Sequence, residues 1–378
     1  MKKFKFGALL LALVLALSLA LSGCSSDDKD SGTDGGSDAA TLAPIAKEDQ
    51  KIAFIYGSAV GEEGYSYAHD LGRAALAEAG YDVTYVEGIE DAQFEKTVRD
   101  LIEQGYNVIF ATSYGYGTYC EKLAEEYPTV YFNHATGDVY KDNLGVYMGR
   151  LYESEYLAGM AAGLKTESNK IGFVASFPIP EVITQINGFT LGVRAVNPDA
   201  VVNVYWTGSW YDPQLEATAG LELANTGNDV VMSYLDTMSA QIAAAEKGVW
   251  AIGCSTSGAE VLPDYYLTAP IFVWAEFYLS CVESIADGTW SPERQFLGLD
   301  TGTVDIDTLT ANNASGAAEQ VAEAKQKIID GDLVVFGGPI KDQSGEVRIA
   351  EGTALTDAEI LTMDWFVEGV NGNISGSN

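Results

Sequence analysis

Ser58, Ser113 and Ser209 are the hydroxyls that could be proposed as nucleophiles, and His69 and His134 are the only imidazoles among 378 residues to serve them as bases. None of the serines stands in a Gly-x-Ser-x-Gly turn, and His69 falls in a helical stretch while His134 falls at a strand end. Tyr114-Gly115-Tyr116-Gly117 has neither the lysine nor the spacing of a phosphate-cradling loop. Asp305-x-Asp307 lacks the glycine and terminal glutamate of a calcium loop. Cys120, Cys254 and Cys281 fit no zinc spacing, and two histidines exclude a His-rich metal site. No catalytic residue, metal or cofactor is therefore expected. The residue types that do recur suit binding: aromatic rings to stack on a flat molecule, and Ser, Asn and Asp to hydrogen-bond its edge.

Their spacing follows an alternation of short apolar runs and helical periods. Residues 51–57 read as a strand, 67–79 as a helix with apolar positions at Ala68, Leu71, Ala75, Leu76 and Ala79, and 81–86 as a strand. A helix carrying Phe94, Val98, Leu101 and Ile102 ends at Gly105. Strand 107–112, helix 119–127 and strand 129–133 follow. The pattern restarts with strand 170–176, helix 183–196, strand 201–206, helix 213–225, strand 229–234, helix 239–247 and strand 249–253. Two such series predict an α/β protein with two lobes, each a doubly wound parallel sheet with helices on both faces. The architecture expected is the two-lobe type I periplasmic-binding-protein fold. Residues 154–164 would bridge the lobes and 269–286 would return to the first. The expected division is 49–150 plus about 269–292 for the N-terminal lobe, and 151–268 plus about 293–372 for the C-terminal lobe.

Ligands of open parallel sheets sit beyond the carboxyl ends of the strands. That rule selects Ser58, Tyr65, Ser113, Tyr114 and Asn133 in the first lobe. In the second it selects Phe177, Trp206, Trp210, Asp212 and Asp236, and Trp274 follows as a further wall. The strand-end segments contain almost no Lys or Arg, so an anionic ligand would lack a partner and a small, neutral, planar one is favoured.

The N-terminus addresses the chain. Residues 1–6 are basic, 7–21 almost wholly apolar, and Leu21-Ser22-Gly23-Cys24 follows. This describes a secretory signal over 1–23, too short for a bilayer span. The tetrapeptide resembles the bacterial lipobox, which makes Cys24 the lipidation site. Residues 24–48 are expected to form a disordered acidic tether, because 25–40 hold hardly an apolar side chain. The net charge of −33 falls to −36 without the leader, which leaves 18 basic residues against 54 acidic. Such a surface disfavours nucleic acid. A monomer on the outer face of the cell membrane is expected, held by its lipid.

Several runs resemble the basic membrane lipoprotein family, the purine-nucleoside and purine-base binding components of ABC importers. They are Gly64-Tyr65-Ser66-Tyr67-Ala68-His69-Asp70, His134-Ala135-Thr136-Gly137, Gly149-Arg150-Leu151-Tyr152-Glu153 and, most specifically, Phe177-Pro178-Ile179-Pro180-Glu181-Val182-Ile183 with Asn187-Gly188-Phe189 and Val196-Asn197-Pro198. The resemblance covers most of residues 51–305 and is nearest to the branch that binds free bases such as adenine. It implies delivery to an ABC permease and makes Tyr65 a stacking face. The chain lacks the Asp-x-Ser-Phe-Asn segment of the nucleoside branch. It reads Gly253-Cys254-Ser255-Thr256-Ser257 where relatives carry Gly-x-Asp-Ser-Asp, which argues against a nucleoside. Of the family's Trp-Asn-Trp-Gly-Pro-Tyr-Tyr only part survives, as Phe272-Val273-Trp274-Ala275-Glu276-Phe277-Tyr278. The alternatives are a ligand-sensing receptor for a signalling partner and a surface hydrolase.

Overall fold

The computed structural model describes residues 42–62 and 64–378. The leader, Cys24 and the tether as far as residue 41 lie outside the described residues.

The first sheet collects β1 (Lys51–Ile55), β2 (Asp82–Val86), β3 (Val108–Ala111), β4 (Tyr131–Ala135) and β5 (Leu144–Gly149). The second begins with β6 (Lys170–Ala175), β7 (Val201–Trp206), β8 (Val230–Tyr234), β9 (Trp250–Ile252) and β10 (Tyr266–Thr268). The short strand β11 (Pro270–Phe272) precedes β12 (Arg294–Leu297), and β13 (Val304–Ile306) returns antiparallel to β11. A C-terminal segment adds the hairpin of β14 (Ile340–Lys341) and β15 (Val347–Ile349), and then β16 (Val370–Asn371). Both large sheets are wholly parallel, in the order β2-β1-β3-β4-β5-β12 and β16-β7-β6-β8-β9-β10. Each therefore reverses winding beside its first strand. Ligands of such sheets lie at that reversal.

Parallel strands covered on both faces must be apolar throughout, and β1, β3, β4 and β8 are buried almost end to end. Helices α1 (Tyr65–Glu78), α2 (Asp91–Glu103) and α3 (Gly117–Glu126) connect strands of the first sheet. Helix α4 (Leu151–Lys165) crosses to the second sheet, whose strands are linked by α5 (Pro180–Val196), α6 (Pro213–Asn225) and α7 (Ser239–Ala245). Then come α8 (Ala275–Asp287), which lies against α1, α9 (Ala317–Ile329) and the single turn α10 (Asp357–Ile360).

Three expectations are corrected. Strand β5 is absent from the sequence reading, because Gly145 and Gly149 interrupt its apolar run. A Cβ at either would meet the rings of Trp290 and Phe272, at 3.1 and 2.6 Å. The return to the second lobe was placed at about residue 293, yet β12 pairs with β5, from Arg294 beside Val146 to Leu297 beside Gly149. The first lobe thus extends through Leu297. The tether was expected to run to residue 48. However, Leu42 and Ile45 pack against the core, Tyr131 donates its hydroxyl to Ala43 O at 3.2 Å, and Gln50 Nε2 donates to Ile45 O at 3.0 Å. Two apolar side chains with a place to go order this stretch.

Candidate functional site

The loops at the carboxyl ends of both sheets face each other across a cavity of about 160 Å³. The first lobe contributes Tyr65 and Ser66 from the start of α1, Glu90 and Asp91 from the start of α2, Ser113 and Tyr114 beyond β3, and Thr136 beyond β4. The second contributes Glu181 from the first turn of α5, Trp210 and Tyr211 beyond β7, Tyr234 and Asp236 at the end of β8, and Ser255 beyond β9. No Lys or Arg lines it.

Glu181 is the sharpest feature. It follows Pro180 at the start of α5, where proline costs no hydrogen bond and an acid complements the helix dipole. Oε1 accepts from the Tyr234 hydroxyl at 2.9 Å, while Oε2 is buried with no partner. Burial pushes its carboxyl up to about 7, with Tyr234 pulling the other way. Asp236 rises to about 6 for the same reason, opposed by a hydrogen bond from Ser58. The Ser58 hydroxyl also lies 2.7 Å from Ser66 Oγ, so it stands behind the wall and orients it. His134, held neutral by burial, donates from Nε2 to Ser113 O at 2.8 Å and fixes the β3 loop.

Two residues without a glycine's freedom hold left-handed backbones here, Thr136 (φ 60°) and Ser255 (φ 66°), one from each lobe. For a β-branched threonine this conformation is costly and persists where the surroundings impose it, as they do at binding sites. Thr136 N donates to Tyr147 O at 2.8 Å, and its Oγ1 is buried without a partner.

Of the residues selected from the sequence, Tyr65, Ser113, Tyr114, Trp210 and Asp236 come together on this cavity, with Ser58 directly behind. The others do not line it. Asn133 faces α8, its Oδ1 taking Trp290 Nε1 at 3.2 Å and Cys281 Sγ at 3.4 Å. Phe177 buttresses Trp210 edge to face, centroids 5.6 Å apart. Trp206 donates to Asn373 O at 2.9 Å and stacks on Phe366, so it serves the C-terminal segment. Asp212 caps α6 by accepting from Leu215 N at 3.0 Å. Trp274 is 2% exposed with both faces taken, His69 and Phe272 each stacking at 5.0 Å, so no face is left for a ligand. It reaches only a recess of about 10 Å³ behind the cleft, where its Nε1 lacks a partner.

The residues selected from the sequence leave out Glu181, Tyr234, Thr136 and Ser255. All sit at strand ends, and the Pro-Glu pair opening a helix right after β6 was the available signal for Glu181. Among the described residues no group of three or more His, Cys, Asp or Glu could hold a metal ion, and no helix is long and apolar enough to cross a membrane.

Two parallel-sheet lobes joined by crossing segments, with aromatic and carboxylate side chains meeting between them, define a solute-binding protein of the two-lobe periplasmic class. The fold is shared with a solved ABC transporter solute-binding protein from Conexibacter woesei, at TM-score 0.64 and 23% identity over 75% of this chain and 98% of that one. Residues 49–336 match the family described as ABC transporter substrate-binding protein PnrA-like, and the chain belongs to it. It is similar to the putative ABC transporter glucose-binding protein TsgA13 of Haloferax volcanii, 36% identical over 88% of this chain and 83% of the relative. It is also similar to purine-binding protein BAB2_0673 of Brucella abortus, 34% identical over 86% and 94%. Members of this family are extracellular or periplasmic solute-binding proteins rather than enzymes, and they deliver small ligands to permease subunits.

Proposed function

We propose that this protein captures an uncharged planar heterocycle of the purine-base class between its lobes and delivers it to an ABC permease, from a lipid anchor at Cys24 on the outer face of the membrane. The observation that carries the ligand class is the pairing of an unsatisfied buried carboxylate oxygen, Glu181 Oε2, with aromatic walls from both lobes, Tyr65 and Tyr114 facing Trp210 and Tyr234. Rings bind a flat face. Glu181 and Asp236 accept from N–H groups on its edge, and the lack of Lys and Arg excludes phosphates. The purine-binding relative supports the same reading. The glucose-binding name of another relative makes the sugar the comparison that matters.

Calorimetry of the purified protein against adenine, hypoxanthine, D-glucose and AMP tests the ligand. A base should bind and AMP should not, and a Tyr65→Ala/Trp210→Ala double replacement should abolish binding. Tight binding of glucose with none of either base refutes the assignment. Radiolabelled palmitate should enter the wild-type chain and not Cys24→Ser, which tests the anchor.

A further inference from the structure

A second chamber of about 320 Å³ opens from the first, the two sharing Tyr114, Thr136 and Glu181. Three polar atoms of its lining are unsatisfied. Thr136 Oγ1, Glu181 Oε2 and Gln185 Oε1 are all buried without a partner, in residues of which Thr136 is 6% and Gln185 3% exposed. Gln185 Nε2 donates to Thr184 Oγ1 at 3.4 Å, which leaves the carbonyl oxygen as the unpaired end of the amide. Buried acceptors of this kind cost free energy unless something donates to them. The remaining wall is apolar along Met148, Phe296, Ile360 and Leu361 and polar at Asp138, Thr184 and Thr362. No Lys or Arg lines this chamber either.

Ile360 and Leu361 belong to the C-terminal segment beyond residue 336, outside the family-matched part of the chain. They are held in place firmly. Thr356 and Glu359 form a reciprocal cap on α10, and Arg150, which donates to Phe296 O at 3.0 Å, also grips Asp357 at 2.7 Å. Ile360 is 4% exposed. The segment therefore reaches from the second lobe across to the edge strand β12 of the first.

We infer that this chamber is a subsite for a hydrogen-bond-donating, non-anionic substituent on the ligand's ring, and that Leu361, on the C-terminal segment, sets the size of substituent accepted. The inference rests on the planar-ligand reading above. The substituent's donors meet Gln185 and Thr136, and its carbon skeleton lies on Phe296 and Leu361. The chamber is thereby walled in part by residues beyond the family-matched 49–336.

The test is calorimetric, on the full-length protein, with adenine, 9-(2-hydroxyethyl)adenine and N6-(2-hydroxyethyl)adenine. At least one hydroxyethyl compound should bind as tightly as adenine. Leu361→Trp, which fills the chamber, should weaken that compound at least tenfold relative to adenine. Leu361→Ala, which enlarges it, should shift the same ratio the other way and guards against a misfolded tryptophan variant. Ratios that stay within twofold in both variants, or hydroxyethyl compounds that both bind more than tenfold worse than adenine to the wild type, overturn the subsite and leave the base reading standing. If none of the three compounds binds the wild type, this inference falls, and the base reading falls with it if hypoxanthine does not bind either.

Discussion

Glu181 makes the cleft sensitive to protons. Its folded value of about 7 stands above the ordinary 4.5, and that of Asp236, about 6, above 3.8, in both cases chiefly through burial. The folded chain thus holds protons that the unfolded chain has released between about pH 4.5 and 7. The contribution of these two groups to folding stability falls as pH rises through that window and levels off above it. This contribution should lower the melting temperature of the ligand-free protein progressively from pH 5 to 7.5, against the opposite contribution of the buried His69 and His134, which is complete near pH 6.5. Glu181→Gln, which keeps the shape and removes the charge, should flatten the decline, recovering at most ~3 kcal/mol at pH 8; an unchanged slope would contradict the burial argument. Binding has the opposite sign. Oε2 accepts from a ligand N–H best when ionised, so affinity should climb between pH 6 and 8 with release of a proton, visible as buffer-dependent binding heat. In Glu181→Gln that dependence should vanish and affinity should drop about 10- to 100-fold, the loss of one charge-assisted hydrogen bond.

At the scale of elements, the pair α4 and α5 holds the second lobe to the crossing. Four glycines let the two helices touch backbone to backbone. A Cβ at Gly159 would come within 2.0 Å of Phe189 O, at Gly163 2.6 Å from Val193 O, at Gly188 2.6 Å from Tyr152 O and at Gly192 1.8 Å from Tyr156 O. Replacing a mid-helix glycine by alanine ordinarily gains up to about 1 kcal/mol. Gly192→Ala should instead destabilise by about 2–4 kcal/mol, since backbone cannot step aside as a side chain does. A lower urea midpoint at unchanged slope would show it, and a neutral or raised midpoint would mean that the helices re-pack freely. The elements themselves were largely legible in the sequence, because strands buried on both faces read as unbroken apolar runs, as 52–55 and 108–111 do. Long-range choices were not. Nothing local in Arg294–Leu297 says which sheet it will join, and Gly145 and Gly149 hide β5 because the volume they lack is filled by rings distant in sequence. The site divides in the same way. Tyr65 and Asp236 follow from the strand-end rule. Glu181 reads locally as a helix-start acid and joins the candidate site only when Tyr234 and the opposite lobe come against it. Trp274 stands in a binding motif yet is walled in by His69 and Phe272, a fact of packing that no spacing reveals.

For the whole molecule, function requires that the lobes part and meet, and the structure shows them met. Gly64, the residue before α1 in the first lobe, lies against the backbone of Asp236 in the second; a Cβ there would fall 2.0 Å from Asp236 O. Ser58 reaches the Asp236 side chain beside it. These contacts join the two lobes beside the cleft, and the chain crossings near Arg150, β11 and β13 can serve as the hinge. A ligand shifts such an equilibrium only by touching both lobes at once, and the cleft lining offers that through Tyr65 and Tyr114 on one side and Trp210 and Glu181 on the other. Gly64→Ala isolates the closing step, because it adds one methyl outside the lining of the cavity and outside either core. The two lobes would have to stop short by more than an ångström at that point, which leaves the carboxylates out of reach of a ligand bound to the first lobe. Affinity should fall at least about tenfold, the cost of a lost charge-assisted contact. The ligand-free melting point should stay near that of the wild type. In small-angle X-ray scattering, saturating ligand should contract the wild-type radius of gyration and leave the Gly64→Ala value unchanged. A variant that contracts and binds as the wild type does would show that Gly64 does not govern closure and that the lobes meet through other contacts.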